Sequence, residues 1–284
     1  MTRNSGALML RRLTRSSSAR IGMIIVICLV LAAVFASILT PFEPAQMRAG
    51  PRYSPPSLAH PFGTDQFGRD MLTRVLHGAR LTLVIGAIAV SISMVIGVLI
   101  GLFGGYNKGI LGNLLMRGID VLFSFPDTLI ALAAVAVLGP SLQNAMIAVG
   151  ISTIPVYARI AYSAVVVESG KEYMAAGRAI SASTARLVFR HLLPNILPPM
   201  IVVGTLGVST AILAAAGLSF LGLGAQPPTP EWGAMLAEGR NAFSRAPWLS
   251  AFPGIAIAIT VLGFNLLGDG LREALDPTQR RVLQ

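Results

Sequence analysis

Six long apolar runs constrain the fold of this 284-residue chain more than any other feature. An α-helix rises 1.5 Å per residue, so about 20 apolar residues cross the ~30 Å hydrocarbon core of a bilayer. Within that core only helices and closed barrels satisfy all of their backbone polar groups. The runs cover residues 21–40, 81–105, 119–138, 143–164, 196–223 and 249–267. They predict an all-α integral membrane protein with six transmembrane helices.

The net charge of +10 fits this topology better than it fits a nucleic-acid-binding protein. No basic patch interleaved with aromatic residues is visible, and the arginines stand mostly at the ends of apolar runs, as the positive-inside rule expects. Six spans place 15 of the 22 Lys and Arg residues inside and 7 outside. The charge pattern therefore predicts that both termini are cytoplasmic.

The first apolar run has two interpretations, a retained membrane anchor or a cleaved secretory signal peptide. Residues 1–20 contain five arginines and no acidic residue, which both interpretations allow. The run is longer than the apolar region of a typical signal peptide, and no small-residue cleavage site ends it before Pro41. These observations favour the anchor.

A polar and basic segment, residues 171–195, interrupts the apolar pattern. Residues 181–183 predict a turn with a possible N-cap, and Pro194 is predicted to end the helix that follows. The segment is either an ordinary basic cytoplasmic loop or a docking element. The docking interpretation depends on a small, slightly apolar helix face formed at positions i, i+3, i+4 and i+7 by Tyr173, Ala176, Gly177 and Ile180.

This segment resembles the EAA loop of ABC importer permeases, in which E-A-A is followed by Gly and then by I-x-L-P. Glu172 lies further upstream than in the basic pattern, Gly177 replaces the second Ala, Ser181 the Gly and His191 the Ile. In the family this loop is the coupling helix that docks into a groove of the ATPase subunit. The resemblance implies ATPase-coupling roles for Glu172, Tyr173, Ala176, Gly177, Arg178, Ser181, Arg186, Arg190, His191 and Pro194.

Residues 60–80 and 226–240 resemble the permeases of peptide, glutathione and nickel importers, of the dipeptide permease C type. The resemblance implies the type I ABC importer fold, a first helix that wraps a partner, and alternating access in a bacterial cytoplasmic membrane. It also implies three kinds of partner besides the lipid bilayer: a second homologous permease, two ATPase subunits or domains that bind ATP and Mg, and an extracytoplasmic substrate-binding protein. Short peptides are the expected cargo, with glutathione and nickel as alternatives.

Two segments are expected on the outer side of the membrane. In the first, residues 41–80, Thr64 or Asp65 is predicted to cap a short amphipathic helix that ends near Gly78. The second, residues 226–247, predicts a short helix at the outer membrane interface. Glu231, Trp232 and Arg240 are expected to face the binding protein, although a passive interfacial helix explains this segment equally well.

The chain divides into an amino-terminal part, residues 1–80, and a five-helix permease core, residues 81–284. Gly97, Gly101 and Gly104 predict close helix packing in the second span. In the fifth span, a stripe of small residues forms either a packing seam or a pore lining: Gly204, Gly207, Ala211, Ala214 and Leu218. Asp127, just after Phe125-Pro126, either lies in the substrate pathway or caps a restarted helix.

Enzyme chemistry has little support in this sequence. The two lysines, Lys108 and Lys171, do not stand in a G-x-x-x-x-G-K-[ST] motif, so ATP must be hydrolysed by a separate subunit. The single Cys28 and the scattered histidines predict no metal site and no cofactor in this chain. Two other classes remain as alternatives, a secondary transporter with helices broken at Pro126 and Pro155 and a non-transporting membrane scaffold.

Overall fold

A computed structural model describes residues 16–107 and 109–275. Regular structure in these residues is helical, which confirms the predicted all-α class. The nine helices within the described residues are α1 (Ser17–Leu39), α2 (Met71–Tyr106), α3 (Ile110–Phe123), α4 (Asp127–Leu138), α5 (Leu142–Ser169), α6 (Glu172–Ala179), α7 (Thr184–Phe220), α8 (Trp232–Arg240) and α9 (Trp248–Leu275).

Five helices are long and apolar enough to cross a membrane, namely α1, α2, α5, α7 and α9. The sixth predicted span is a bent pair, because α3 and α4 meet at an angle of 93°. The bend confirms the helix restart predicted at Phe125-Pro126, and the first half of the pair begins at Ile110, earlier than the predicted residue 119. Pro126 lacks an N–H group, and it disfavours helical backbone at the residue before it, so the helix breaks here.

The second span begins ten residues earlier than predicted, at Met71, and runs for 36 residues. Its N-cap is Asp70, whose Oδ2 accepts a hydrogen bond from the Thr73 N–H at 2.8 Å. The separate amphipathic helix capped by Thr64 or Asp65 is therefore wrong, because that stretch is the first part of α2. The predicted division at residue 80 falls inside this continuous helix.

Close packing of α2 depends on two of the predicted glycines. A Cβ atom on Gly97 would lie 2.6 Å from the Tyr157 Cβ, and one on Gly101 would lie 2.5 Å from the Ala158 carbonyl oxygen. Both contacts are shorter than atoms tolerate, so α2 and α5 approach each other only because these side chains are absent. Gly104 instead faces Met116 of α3.

Helix α7 continues through Pro194, contrary to the prediction that this residue ends a helix. A π-helical segment, Leu187–Leu192, comes immediately before the proline. In a regular α-helix, a proline ring clashes with the carbonyl group four residues earlier, and that carbonyl loses its hydrogen bond because proline has no N–H. In the wider π-helical turn, carbonyl groups bond to the N–H five residues later, so the helix accommodates the proline.

The stripe of small residues on α7 forms a packing seam within this chain. A Cβ atom on Gly207 would lie 1.9 Å from the Tyr157 hydroxyl oxygen of α5, and Ala211 and Leu218 are buried. This geometry supports the packing interpretation over the pore lining.

Candidate functional site

Helix α6 is a short amphipathic helix between two membrane-spanning helices, α5 and α7. Met174 is its buried residue, and it packs in a hydrophobic cluster with Val165 of α5 and with Leu187 and Leu192 of α7. Long apolar side chains at such positions fix the orientation of a short helix that could not persist alone in water. The cluster therefore holds α6 rigidly against both membrane-spanning helices.

The exposed face of α6 differs from the predicted docking face by a rotation about the helix axis. Gly177 faces inward, since a Cβ atom there would lie 2.6 Å from the Leu187 Cδ2. Ala176 is exposed as predicted, and Ile180, the C-cap residue, is 80% exposed. The outward face is small and contains Glu172, Ala175, Ala176 and Ala179. Met174, the one long aliphatic side chain in this helix, is the sequence signal that identifies the inward face.

The turn after α6 is a Schellman motif built on serine. The Ser181 N–H donates to the Arg178 carbonyl at 3.0 Å, and the Ala182 N–H donates to the Gly177 carbonyl at 3.1 Å. Ser181 has a φ of 55°, the left-handed conformation that glycine usually occupies at this position. Of the two explanations open for a serine here, a strained turn and an N-cap, the structure supports strain at Ser181. The cap is Ser183, whose Oγ accepts from the Arg186 N–H at 3.4 Å.

Ser181→Gly is expected to stabilise this turn by roughly 0.5–1 kcal/mol, because relief of left-handed strain exceeds the entropy cost of glycine. Transport should be unharmed. The measurement is amide hydrogen exchange at Ala182, which should slow about threefold for a gain of this size. Ser183→Ala is the matched comparison, and it should destabilise the start of α7 by about 1 kcal/mol because it removes the N-cap hydroxyl. Faster exchange in Ser181→Gly would contradict the strain assignment.

A polar network joins α6 to its two neighbours at the other end of the helix. The Tyr173 hydroxyl donates to Glu168 Oε1 of α5 at 2.6 Å, and Asn195 Nδ2 of α7 donates to the Tyr173 oxygen at 3.2 Å. Lys171 pairs with the other oxygen of Glu168 at 2.5 Å. Burial, together with the hydrogen bond to Glu168, raises the pKa of Tyr173. Tyr173 thus links α6 to α5 and α7, while the residue remains 37% exposed.

The remaining predicted coupling residues lie at the same end of the helix bundle as α6, and their side chains are exposed. Arg178 donates to the Ser169 carbonyl through both terminal nitrogens at 3.5 Å, so it closes α6 back onto α5. Exposed side chains continue onto the first turns of α7 with Arg186, Phe189, Arg190, His191 and Pro194. The structure therefore brings the predicted residues to one end of the bundle, and it adds exposed Phe189.

Asp127 is the first residue of α4, at the 93° break. Its Oδ1 accepts from the Thr128 N–H at 2.7 Å, and its side chain is exposed. It lines a cavity of about 210 Å³ between the broken span and α5, together with Ser152 and Pro155. The N-cap position itself is Pro126, so the carboxylate bonds within the first turn of α4 and borders the cavity.

Two of the three residues expected to face the binding protein are buried. Glu231 and Trp232 are each 1% exposed, and only Arg240 remains on the surface. Glu231 caps α8 by accepting from the Gly233 and Ala234 N–H groups at 2.9 Å, while burial raises its pKa. Trp232 donates from Nε1 to the Val75 carbonyl of α2 at 2.9 Å. Glu231 and Trp232 are therefore not at the surface where they were expected. Helix α8 packs mainly against α7 and α9, and Trp232 also reaches α2.

A buried ionic cluster ties the outer loop, residues 41–70, to α2 and α8. Arg69 and Arg74 are each 1% exposed, and both pair with Asp65 and with Glu238 of α8. The Arg69–Glu238 and Arg74–Glu238 distances are 2.9 and 3.1 Å. Sequence reasoning missed this cluster, because Glu238 is separated from Arg69 and Arg74 by more than 160 residues.

Two family models match this sequence. The model described as "Binding-protein-dependent transport system inner membrane component" matches residues 97–281. The model described as "N-terminal TM domain of oligopeptide transport permease C" matches residues 6–56. The first model covers α6 and the segment after it.

Curated relatives are similar over nearly the whole chain. A dipeptide transport system permease protein of Alkalihalophilus pseudofirmus is 46% identical over 95% of this chain and 89% of its own length. A di/tripeptide transport system permease protein of Pseudomonas aeruginosa is 45% identical, over 90% and 86%. A glutathione transport system permease protein of Escherichia coli is 46% identical, over 94% and 88%.

A solved structure shares the fold. A chain of the MetNI methionine ABC transporter, in an inward-facing conformation, aligns with a TM-score of 0.60 at 20% identity. The alignment covers 72% of this chain and 98% of that chain. The expected type I ABC importer fold is thereby confirmed.

Proposed function

Since the chain belongs to the binding-protein-dependent transport system inner membrane components, we propose that it is the permease subunit of an importer that moves short peptides into the bacterial cell. The names of its dipeptide, di/tripeptide and glutathione relatives support this cargo. Glutathione is itself a modified tripeptide and is the alternative cargo. ATP hydrolysis belongs to separate subunits, which bind ATP and Mg.

The orientation of α6 is the single observation that carries the proposal. A short helix with a small exposed face is fixed by Met174 and Tyr173 to the two long helices on either side of it. A force applied to such an element moves α5 and α7 instead of bending a flexible loop. We infer that α6 and the following exposed basic residues dock on an ATPase subunit, with both termini on that cytoplasmic side.

The rest of the assembly follows from surfaces that this chain leaves uncovered. The α3–α4 pair exposes large apolar side chains on most of its length, among them Leu114, Val121 and Phe125. Helix α1 exposes a further apolar face that includes Val34 and Ile38. These faces suit lipid and a second homologous permease, while an extracytoplasmic binding protein delivers the peptide on the opposite side from α6.

Gentle co-purification tests this proposal. We expect mass spectrometry to find a second permease, P-loop ATPase subunits and a binding protein that carries a peptide. A chain that purifies alone, and that transports in a proton gradient without ATP, would instead support a secondary transporter. A complex whose ATP hydrolysis ignores loaded binding protein would support a scaffold.

We further propose that Asp127 borders the substrate pathway. A carboxylate within a membrane-spanning region is costly unless it faces water or a partner, and this one lines a cavity beside a broken helix. A water-filled pathway in this cavity would remove that cost.

Asp127→Asn should lower ATP-driven uptake of trialanine about tenfold, because the amide oxygen still accepts from the Thr128 N–H but the charge is lost. ATPase stimulation should persist, and Asp127→Glu should retain most of the uptake. The measurement is the initial uptake rate in proteoliposomes that contain the full complex. Glu43→Gln, which removes a charge from an exposed position in the outer loop, is the control. Normal uptake by Asp127→Asn would show that the charge of this residue has no role in the substrate pathway.

A further inference from the structure

The outer segments contain an unexpected number of arginines. Residues 41–80 and 226–247 hold seven arginines and no lysine, although the positive-inside rule disfavours positive charge on this side. The buried ionic cluster accounts for Arg69 and Arg74, which Asp65 and Glu238 neutralise. The arginines of the outer loops that are not neutralised in this way remain at the surface.

Five of these arginines are exposed. One of them, Arg80, lies on α2, and the other four form, with an exposed aromatic residue, what we name the outer arginine surface. In the described part of the chain, the guanidinium groups of Arg48 and Arg52 make no ion pair. Phe243 is 59% exposed and lies between the other two arginines in sequence. The surface consists of Arg48, Arg52, Arg240, Phe243 and Arg245.

The outer arginine surface is held in place by aromatic stacking and loop hydrogen bonds. The Arg245 guanidinium carbon lies 3.9 Å from the centre of the Tyr53 ring. Tyr53 directly follows Arg52 in the sequence, so this contact brings Arg245 close to the Arg52 backbone. The Arg240 guanidinium lies 5.6 Å from the Phe220 ring. The Arg48 N–H donates to the Phe67 carbonyl at 3.0 Å, and the Tyr53 N–H donates to the Asp65 carbonyl at 3.0 Å. These contacts reduce the entropy that the side chains lose on binding a partner.

The acids of the same region do not cancel this charge at the surface. Asp65, Asp70 and Glu231 are buried in contacts within the chain, and Glu238 is occupied by the two buried arginines. Glu43 is exposed in the outer loop, but this one carboxylate does not offset the four guanidinium groups of the outer arginine surface. Exposed arginine beside an exposed aromatic ring is the composition enriched at protein interfaces, and guanidinium groups bind carboxylates in a bidentate geometry.

We propose that the outer arginine surface docks an acidic patch on the peptide-binding protein. This inference rests on the proposed function and names the chemistry of one of its partners. Carboxylates of the binding protein meet the four guanidinium groups around Phe243. The resulting association depends on ionic strength, since charges at the rim of an interface steer encounter and are screened by salt. A rigid, aromatic-braced surface favours a protein partner over lipid headgroups.

The test uses the full complex in nanodiscs and the binding protein that co-purifies with it. The measured quantity is the binding-protein concentration that gives half-maximal stimulation of ATP hydrolysis, at low and at high NaCl. For the wild type this concentration should rise with salt. The double variant Arg48→Glu/Arg52→Glu should raise it about tenfold at low salt and lose the salt dependence, with basal hydrolysis unchanged.

The variant Arg48→Lys/Arg52→Lys keeps the charge, so its half-maximal binding-protein concentration should stay within about threefold of the wild-type value. If the glutamate variant assembles poorly, Arg52→Gln alone must still raise the half-maximal concentration. A stimulated wild type with an unaffected glutamate variant would overturn this inference and leave the importer intact. The inference is also overturned if Arg48→Glu/Arg52→Glu lowers the binding of the complex to anionic vesicles but leaves its stimulation by the binding protein unchanged. A wild type that no concentration of binding protein stimulates would overturn the proposed function itself.

Discussion

Ala176→Arg is expected to abolish ATP-driven uptake while the permease still folds and inserts. Ala176 is exposed on the outward face of α6, so a long side chain there meets no atom of this chain that would force unfolding. Arginine is also a good helix former. In the groove of an ATPase subunit, however, it would be a bulky charge without a partner. Burying one costs about 2–5 kcal/mol, and about 2.7 kcal/mol already lowers binding 100-fold.

Co-purified ATPase and initial uptake rate are the two measurements for this variant. Ala176→Ser, which keeps the residue small, should behave like the wild type. Gly177 also lies on the docking face that the sequence predicts, but Gly177→Arg is a poorer test, because its side chain would collide with Leu187 inside the chain. If Ala176→Arg retains the ATPase and transports normally, then α6 is not the docking element.

Asp65→Ala is expected to destabilise the outer part of the molecule by about 3–5 kcal/mol, the usual cost of breaking a buried ion pair on one side. Asp65 pairs with the Arg69 Nε and, at 3.2 Å, with the Arg74 Nη1. It also accepts from the Phe67 and Arg69 N–H groups at 2.8 and 2.9 Å. Its loss leaves two buried guanidinium groups to share Glu238.

Thermal unfolding followed by tryptophan fluorescence measures this loss. The chain has two tryptophans, and both report on this region, because Trp232 bonds to Val75 and Trp248 donates to the Thr64 carbonyl. We expect Tm to fall by about 10 °C. Glu43→Ala, an exposed acid of the same loop, should change stability by less than about 0.5 kcal/mol. An unchanged Tm in Asp65→Ala would show that the cluster contributes little.

The membrane-spanning helices were predictable because hydrocarbon thickness sets their length and their backbone must be paired internally. Helix ends were less predictable. The start of α2 depends on the side chain of Asp70, and in the helical stretch before Leu81 the charge of Arg74 is paired with Glu238 of α8. Pro194 was assigned as a helix end from its local chemistry, yet a π-helical segment accommodates it.

The candidate site was predictable in place but not in orientation. Resemblance identified residues 171–195, and periodicity found a small helix face, but burial of Met174 decides which face points outward. Gly177 consequently faces inward, whereas Tyr173 stays exposed and bonds to α5 and α7. On the outer side, Glu231 and Trp232 look like interface residues in sequence, and only their three-dimensional contacts show that they cap α8 and pack on α2.

ATP-driven peptide uptake by reconstituted proteoliposomes tests the central claim most directly. Radiolabelled trialanine should accumulate only when this chain is present with its second permease, the ATPase subunits, loaded binding protein and ATP, and a proton gradient should not replace ATP. The chain reconstituted alone should give no uptake. Accumulation by the chain alone in a proton gradient, with no ATPase present, would contradict the account.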